Sequence, residues 1–220
     1  YTIVAIALLG LLVSFGIPKT EVADASSPFE WNPLAVVPVV RNSRENRDLF
    51  LTLLAIGYFW AVGALLQLNL LLYAKQLSHL GDLGTSLLLM GLGVGIGVGS
   101  LLAGVVSEGK VELGLVPLGA IGMGVASLLL TFITSVPLLT FAFLLLLGVG
   151  SGFFVVPLNS FFQQQSPAAV RGSYLAASNF IAYSGIMISS FVLLFAIDVL
   201  RLSPAQVCGL VSLSAFAVAF

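Results

Sequence analysis

The chain alternates long apolar stretches with short polar ones, and this alternation predicts its elements. Apolar runs occupy residues 1–17, 49–74, 84–106, 113–133, 137–162, 173–199 and 204–220, seven in all. The inner runs reach the ~20 residues that a helix needs to cross a bilayer. The first and last are shorter, start at Tyr1 and close at Phe220 without a polar stop, and so read as a fragment of a longer chain. Pro137 and Ser203-Pro204 mark helix starts, because proline at the first helical position gives up a donor that has no partner there. The expected class is an all-α membrane protein with about seven transmembrane helices. Run 1–17 lacks a basic region before it and six further spans follow. A secretory signal ending near Ala23-Asp24-Ala25 is therefore rejected.

Helical periodicity sorts the residues within each run. Between Met90 and Gly104, Gly91, Gly95, Gly99 and Ala103 recur every four residues, and Gly93, Gly97, Ser100 and Gly104 form a second small stripe. Small-xxx-small faces let membrane helices approach closely. The glycine spacing does not fit a dinucleotide loop, and no strand precedes it. A leucine at Gly95 is expected to disrupt folding or transport, with alanine milder. In run 49–74, Tyr58, Asn69 and Tyr73 share one stripe, whereas Trp60, Gly63 and Gln67 share another. The first is more polar and is assigned to a cavity wall; the second is left to packing or lipid. In run 137–162, Gly148, Gly152, Val155, Asn159 and Gln163 fall on one face, fit either for close packing or for lining a passage. Asn179, Tyr183, Met187 and Ser190 share a stripe in run 173–199, where an unpaired asparagine in hydrocarbon would cost a few kcal/mol.

Composition narrows the class. Hydrophobic residues make up 59% and charged residues 8%, with a mean hydropathy of +1.14, far outside soluble usage. A net charge of −1 offers no basic field for nucleic acid, and the single cysteine, Cys208, reads as a small buried hydrophobe rather than a metal ligand. No Asp, Glu, Lys, Arg or His lies mid-run, where such groups mark ion or proton relays. No cluster suits an active site, so neither enzyme activity nor a cofactor or metal is expected. Under strict alternation, six basic residues (Lys19, Arg41, Arg44, Arg47, Lys110, Arg171) fall on one side and two (Lys75, Arg201) on the other. The positive-inside rule places segment 18–48, Lys110 and Arg171 in the cytoplasm, and His79 and Asp82 outside. Segment 18–48 also holds five of the nine acidic residues. Within it, Asn32-Pro33 beside Trp31 reads as the cap of a short surface helix, and Pro38 argues against a long one.

The stretch Gly152–Phe180, GFFVVPLNSFFQQQSPAAVRGSYLAASNF, resembles the tenth helix, loop and eleventh helix of the bacterial lysophospholipid transporter family, a branch of the major facilitator superfamily. Ile56–Lys75 is similar to that family's seventh helix, and the resemblance continues from Gly99 to Gly119 through the GLVPLG turn. It implies a twelve-helix bundle, of which 1–17 ends the N-terminal half, 18–48 is the central cytoplasmic loop and 49–220 is the C-terminal six-helix half. It further implies a secondary transporter of the bacterial inner membrane that moves a lysophospholipid by alternating access. Its partners would be membrane lipids, the remaining half of the same chain and a fused or separate acyltransferase. Tyr58, Asn69, Tyr73, Asn159, Asn179 and Tyr183 would line the path, and Lys110, Arg171 and Gly172 would form the cytoplasmic turns. The alternatives are a major facilitator exporter of drugs or metabolites, or the transporter part of an acyltransferase fusion. Many facilitators carry a glycine, an aspartate and a basic cluster in the turn after the eighth helix. Gly99 matches, but Ala103 stands where the aspartate is expected and only Lys110 remains of the basic cluster.

The orientation is testable in a variant without Cys208. Cysteines at Ser43 and Pro167 are expected to resist an impermeant thiol reagent added outside, while one at Ser78 labels. Labelling of Ser43→Cys from outside would reverse the topology.

Overall fold

In a computed structural model, which describes residues 2–16, 36–76, 81–133 and 136–219, the apolar runs become helices with ends close to those predicted. They are α1 (Thr2–Ser14), α2 (Val36–Ser43), α3 (Arg47–Gln76), α4 (Gly81–Val106), α5 (Leu115–Phe132), α6 (Pro137–Gln165), α7 (Arg171–Leu194) and α8 (Pro204–Ala219). Lys19, Trp31, Asn32-Pro33, Ser78 and His79 lie outside the described residues. Among the described residues, five helices are long and apolar enough to span a membrane; α1 and α8 are shorter apolar helices. The chain divides into two units, 1–32 and 33–220, and α1 belongs to the first.

Helix ends follow local chemistry. Asn46 Oδ1 accepts the Leu49 amide at 3.3 Å and opens α3. Pro137 occupies the first turn of α6. Ser203 and Gln206 form a reciprocal capping box at the head of α8, with the Ser203 amide donating to Gln206 Oε1 at 2.8 Å and the Gln206 amide to Ser203 Oγ at 3.3 Å. Between α4 and α5 the chain reverses through Glu108 and Gly109 at φ 45° and 77°, a left-handed pair that glycine relieves. Two features had no sequence signal. A 3-10 turn (Ala168–Val170) precedes α7, and a π-helical turn (Phe195–Val199) ends it, the Leu200 amide reaching back to Phe195 O at 3.1 Å. In segment 18–48, α2 is indeed short and accommodates Pro38 in its first turn. Ser43, at its end, is fully buried with its hydroxyl on Val40 O at 2.7 Å. The topology probe in this segment therefore moves to the exposed Asn42.

In the second unit, α4 lies along α6, α6 along α5 and α5 along α8, while α3 pairs with α7 and also meets α4, α6 and α8. Lipid offers helices no hydrophobic reward for pairing, so close backbone approach and dispersion must supply it. The Gly91, Gly95, Gly99 and Ala103 stripe is buried and faces α6. Gly95 sits on the Leu145 carbonyl and on Gly148, where an added Cβ would stand 3.0 Å from Gly148 Cα. At Gly99 it would stand 2.7 Å from Val149 Cα, and at Gly152 2.5 Å from the Gly99 carbonyl carbon. The second stripe differs: Gly93, Gly97 and Gly104 have nothing within 4 Å of an added Cβ. A similar approach joins α3 to α7, where Gly185 packs on Gly57 O and Ala61.

These contacts make even alanine at Gly95 costly, because its Cβ alone meets the α6 backbone rather than a yielding side chain. Gly95→Ala should destabilise by about 1–3 kcal/mol, the usual range for overpacking. Gly97→Ala should be neutral. Thermal melting in detergent compares the two, and equal midpoints would place the stripe elsewhere.

Candidate functional site

A cleft of about 710 Å³ opens between α3, α4 and α6, within the ~300–1,000 Å³ range of small-molecule sites. Phe59, Trp60, Gly63 and Gln67 form its α3 wall, Leu89, Leu92, Gly93 and Ile96 its α4 wall, and Leu147, Ser151, Val155 and Asn159 its α6 wall. Met123 of α5 and Ile186 of α7 complete it. No charged side chain is among these lining residues. The polar groups are partly satisfied by their own helices. Ser151 Oγ donates to Leu147 O at 2.9 Å and Asn159 Nδ2 to Val155 O at 3.0 Å. Asn159 thereby keeps its carboxamide oxygen for a ligand, and Trp60 and Gln67 stand exposed. Such a surface can hold an apolar chain and offer hydrogen bonds, but it carries no fixed charge.

The assignment of stripes on α3 is reversed by this geometry. Trp60, Gly63 and Gln67 line the cleft, whereas Tyr58, Asn69 and Tyr73 turn to neighbouring helices. Asn69 is 1% exposed, its Nδ2 donating to Pro204 O at 2.9 Å and standing 3.5 Å from Cys208 Sγ. The Tyr73 hydroxyl meets the last carbonyls of α5, Leu130 O at 2.8 Å and Ile133 O at 2.6 Å, which lack partners within that helix. Tyr58 Oη lies 3.0 Å from Ser214 Oγ, and its ring stands edge-on to Phe154. The polarity of this stripe thus serves helix–helix hydrogen bonds. What identified the other stripe was its glycine and the exposed amide of Gln67, small and unpaired where the first is bulky and paired.

The remaining candidates divide. On α6, Gly148 and Gly152 pack on α4, Val155 and Asn159 line the cleft and Gln163 is exposed. Asn179 and Tyr183 stand exposed on α7, on the helical face that also carries the cleft residue Ile186. Lys110, Arg171 and Gly172 are exposed at helix ends. Gly99 and Ala103 are buried, and the Ala103 carbonyl accepts the Ser107 hydroxyl at 2.6 Å, so the end of α4 carries a neutral bond where many facilitators have a carboxylate. Cys208 is buried, as expected of a small hydrophobe.

If Tyr73 caps α5, Tyr73→Phe should cost about 1–3 kcal/mol by leaving buried carbonyls unpartnered. A lowered melting midpoint with the cleft still accessible to ligand checks this; an unchanged midpoint would deny the cap.

Comparison with known proteins agrees with this architecture. The family model described as Major Facilitator Superfamily matches residues 1–190. The chain is 28% identical over 178 residues to the lysophospholipid transporter LplT of Serratia proteamaculans, covering 77% of this chain and 43% of that protein. Against LplT of Yersinia pestis (strain Pestoides F) and of Yersinia pseudotuberculosis (strain YPIII), the identity is 27% over 177 residues, again 43% of each relative. The chain thus spans less than half the length of these relatives, and the resemblance read from Gly152–Phe180 agrees with their names. With its five membrane-length helices and this family match, the chain is a multi-pass protein of the bacterial inner membrane and belongs to the Major Facilitator Superfamily.

Proposed function

We propose that this chain forms part of a secondary transporter that moves a lysophospholipid across the inner membrane by alternating access, and that it acts as a transporter rather than an enzyme. The observation that carries this reading is the uncharged cleft, apolar along most of its walls with Gln67, Ser151 and Asn159 among its polar groups. A single acyl chain can lie against Leu89, Leu92, Ile96 and Val155, while a headgroup takes hydrogen bonds from side chains that need no charge partner. A soluble polar metabolite would leave most of that wall unused. The names of the relatives support the same substrate class.

In this reading Gln67 and Asn159 guide the headgroup, and Asn179 and Tyr183 extend the path along the same face of α7. Tyr58, Asn69 and Tyr73 hold the helices that carry the cleft. The 18–48 segment joins two halves, the second of which is 49–220, and Lys110 and Arg171-Gly172 mark the cytoplasmic turns. The remaining half of such a bundle, membrane lipids and an acyltransferase that consumes the delivered lipid are the partners it requires.

Uptake of a labelled lysophospholipid into vesicles containing the full-length protein tests this. Asn159→Leu and Gln67→Leu should each lower uptake about fivefold, the loss of roughly one hydrogen bond, with monodispersity in detergent unchanged. Normal uptake in the double variant would exclude the cleft as the headgroup path.

A further inference from the structure

A second opening lies away from the cleft and shares no residue with it. Between α2 and α7 runs a crevice of about 390 Å³ lined by Val36, Val37, Val40, Arg41 and Arg44 on one side and by Phe180 and Ile181 on the other. Its chemistry changes along its length. The apolar residues of α2 come first, then Arg41 on its last turn and Arg44 just past its end, and Val37, Val40, Arg41 and Arg44 keep helical or near-helical spacing, so valines and guanidiniums succeed one another along one side. Arg44 is steadied over the Phe50 ring at 5.5 Å, and no carboxylate lines the crevice.

The depth of this crevice follows from α3. That helix begins at Arg47, and Gly57 on it touches Ile181. Ten residues of helix place this contact about 15 Å from the polar end, half of a ~30 Å hydrocarbon core. The crevice therefore joins a basic rim at the polar end of α3 to an apolar floor about 15 Å further along that helix. Phe180 and Val37 remain more than half exposed within it. Guanidinium pairs suit phosphate because their planar forks donate parallel hydrogen bonds, and basic residues beside the cytoplasmic leaflet attract its anionic lipids.

We propose that the α2–α7 crevice binds an anionic phospholipid of the cytoplasmic leaflet, its phosphate held by Arg41 and Arg44 and one acyl chain laid against Val36, Val40, Phe180 and Ile181. A free phosphate or soluble metabolite would leave the apolar floor empty. A zwitterionic lipid would use the floor but gain little from two cations. The site joins α2 to α7 through the lipid, and it stands whether or not the cleft carries a lysophospholipid.

The test uses the full-length protein in nanodiscs, with Phe180→Trp placed in a background where every other tryptophan, Trp31 and Trp60 included, is phenylalanine. Brominated phosphatidylglycerol should quench this tryptophan at a mole fraction about fivefold lower than brominated phosphatidylcholine. The preference should vanish in R41Q/R44Q and persist in R41K/R44K. Equal quenching by the two lipids, or an unchanged preference in R41Q/R44Q, would overturn the proposal. Should the tryptophan variants fail to insert, native mass spectrometry of the otherwise unaltered chain gives the same decision: phosphatidylglycerol retained from a mixed lipid pool by the wild type and not by R41Q/R44Q supports the site, and equal retention overturns it. Excess glycerol phosphate should leave the retained lipid in place, and its displacement would overturn the assignment to a lipid.

Discussion

The contact on which the rest of the bundle depends is the backbone approach of α6 to both of its neighbours. Gly148 and Gly152 meet Gly95, Gly99 and Ser100 on α4, while Gly150 meets Gly119 and Met123 on α5. Positions two apart on a helix point about 200° apart, so one short glycine-rich segment holds two helices on opposite sides of α6. In lipid this matters more than in water, because burying apolar area against a neighbour gains nothing over leaving it in hydrocarbon. Dispersion between closely packed backbones remains, and it falls steeply with distance. Large residues at these positions would convert a contact into a gap.

The same helix explains why a cleft exists beside so tight a contact. Past Gly152 the residues of α6 facing α3 and α4 grow larger and more polar, and Val155 and Asn159 line open space. Ser151 and Asn159 spend part of their hydrogen-bonding capacity on carbonyls four residues back, so they stand at an apolar wall at reduced cost. On α3, Tyr58, Asn69 and Tyr73 bind polar atoms of α5 and α8 and hold the back of the bundle together. Polar side chains thus divide between fastening helices and facing the cleft, according to whether a partner lies within reach.

Charge is kept out of the bundle and concentrated at its ends. The cleft has no charged lining residue, while the described arginines of the 36–48 segment gather where α2 meets α3. An uncharged cleft presents no fixed electrostatic well to whatever occupies it. A basic rim holds the helices at the membrane surface and offers phosphate a partner there. The two openings are therefore of different kinds, one neutral and central, one basic and peripheral.

Much of the architecture was legible in one dimension, because a bilayer imposes a length and a polarity on anything that crosses it. The number and ends of the long apolar helices, the starts at Pro137 and Pro204, the want of a long helix through Pro38 and the close-packing potential of Gly91, Gly95, Gly99 and Ala103 all follow from local rules. The resemblance in Gly152–Phe180 pointed to the family. Tertiary structure alone decided which face looks where. Periodicity separates Asn69 from Gln67 but does not reveal that Pro204, 135 residues away, supplies a carbonyl to the first. Nor does it reveal that the α5 end supplies two to Tyr73. A polar side chain in an apolar helix needs a partner or a ligand, and its sequence context cannot say which, because hydrogen bonds between helices are set by positions far apart in the chain. For the same reason the two glycine stripes of α4 look alike in sequence, although only one meets a neighbouring helix in this fold.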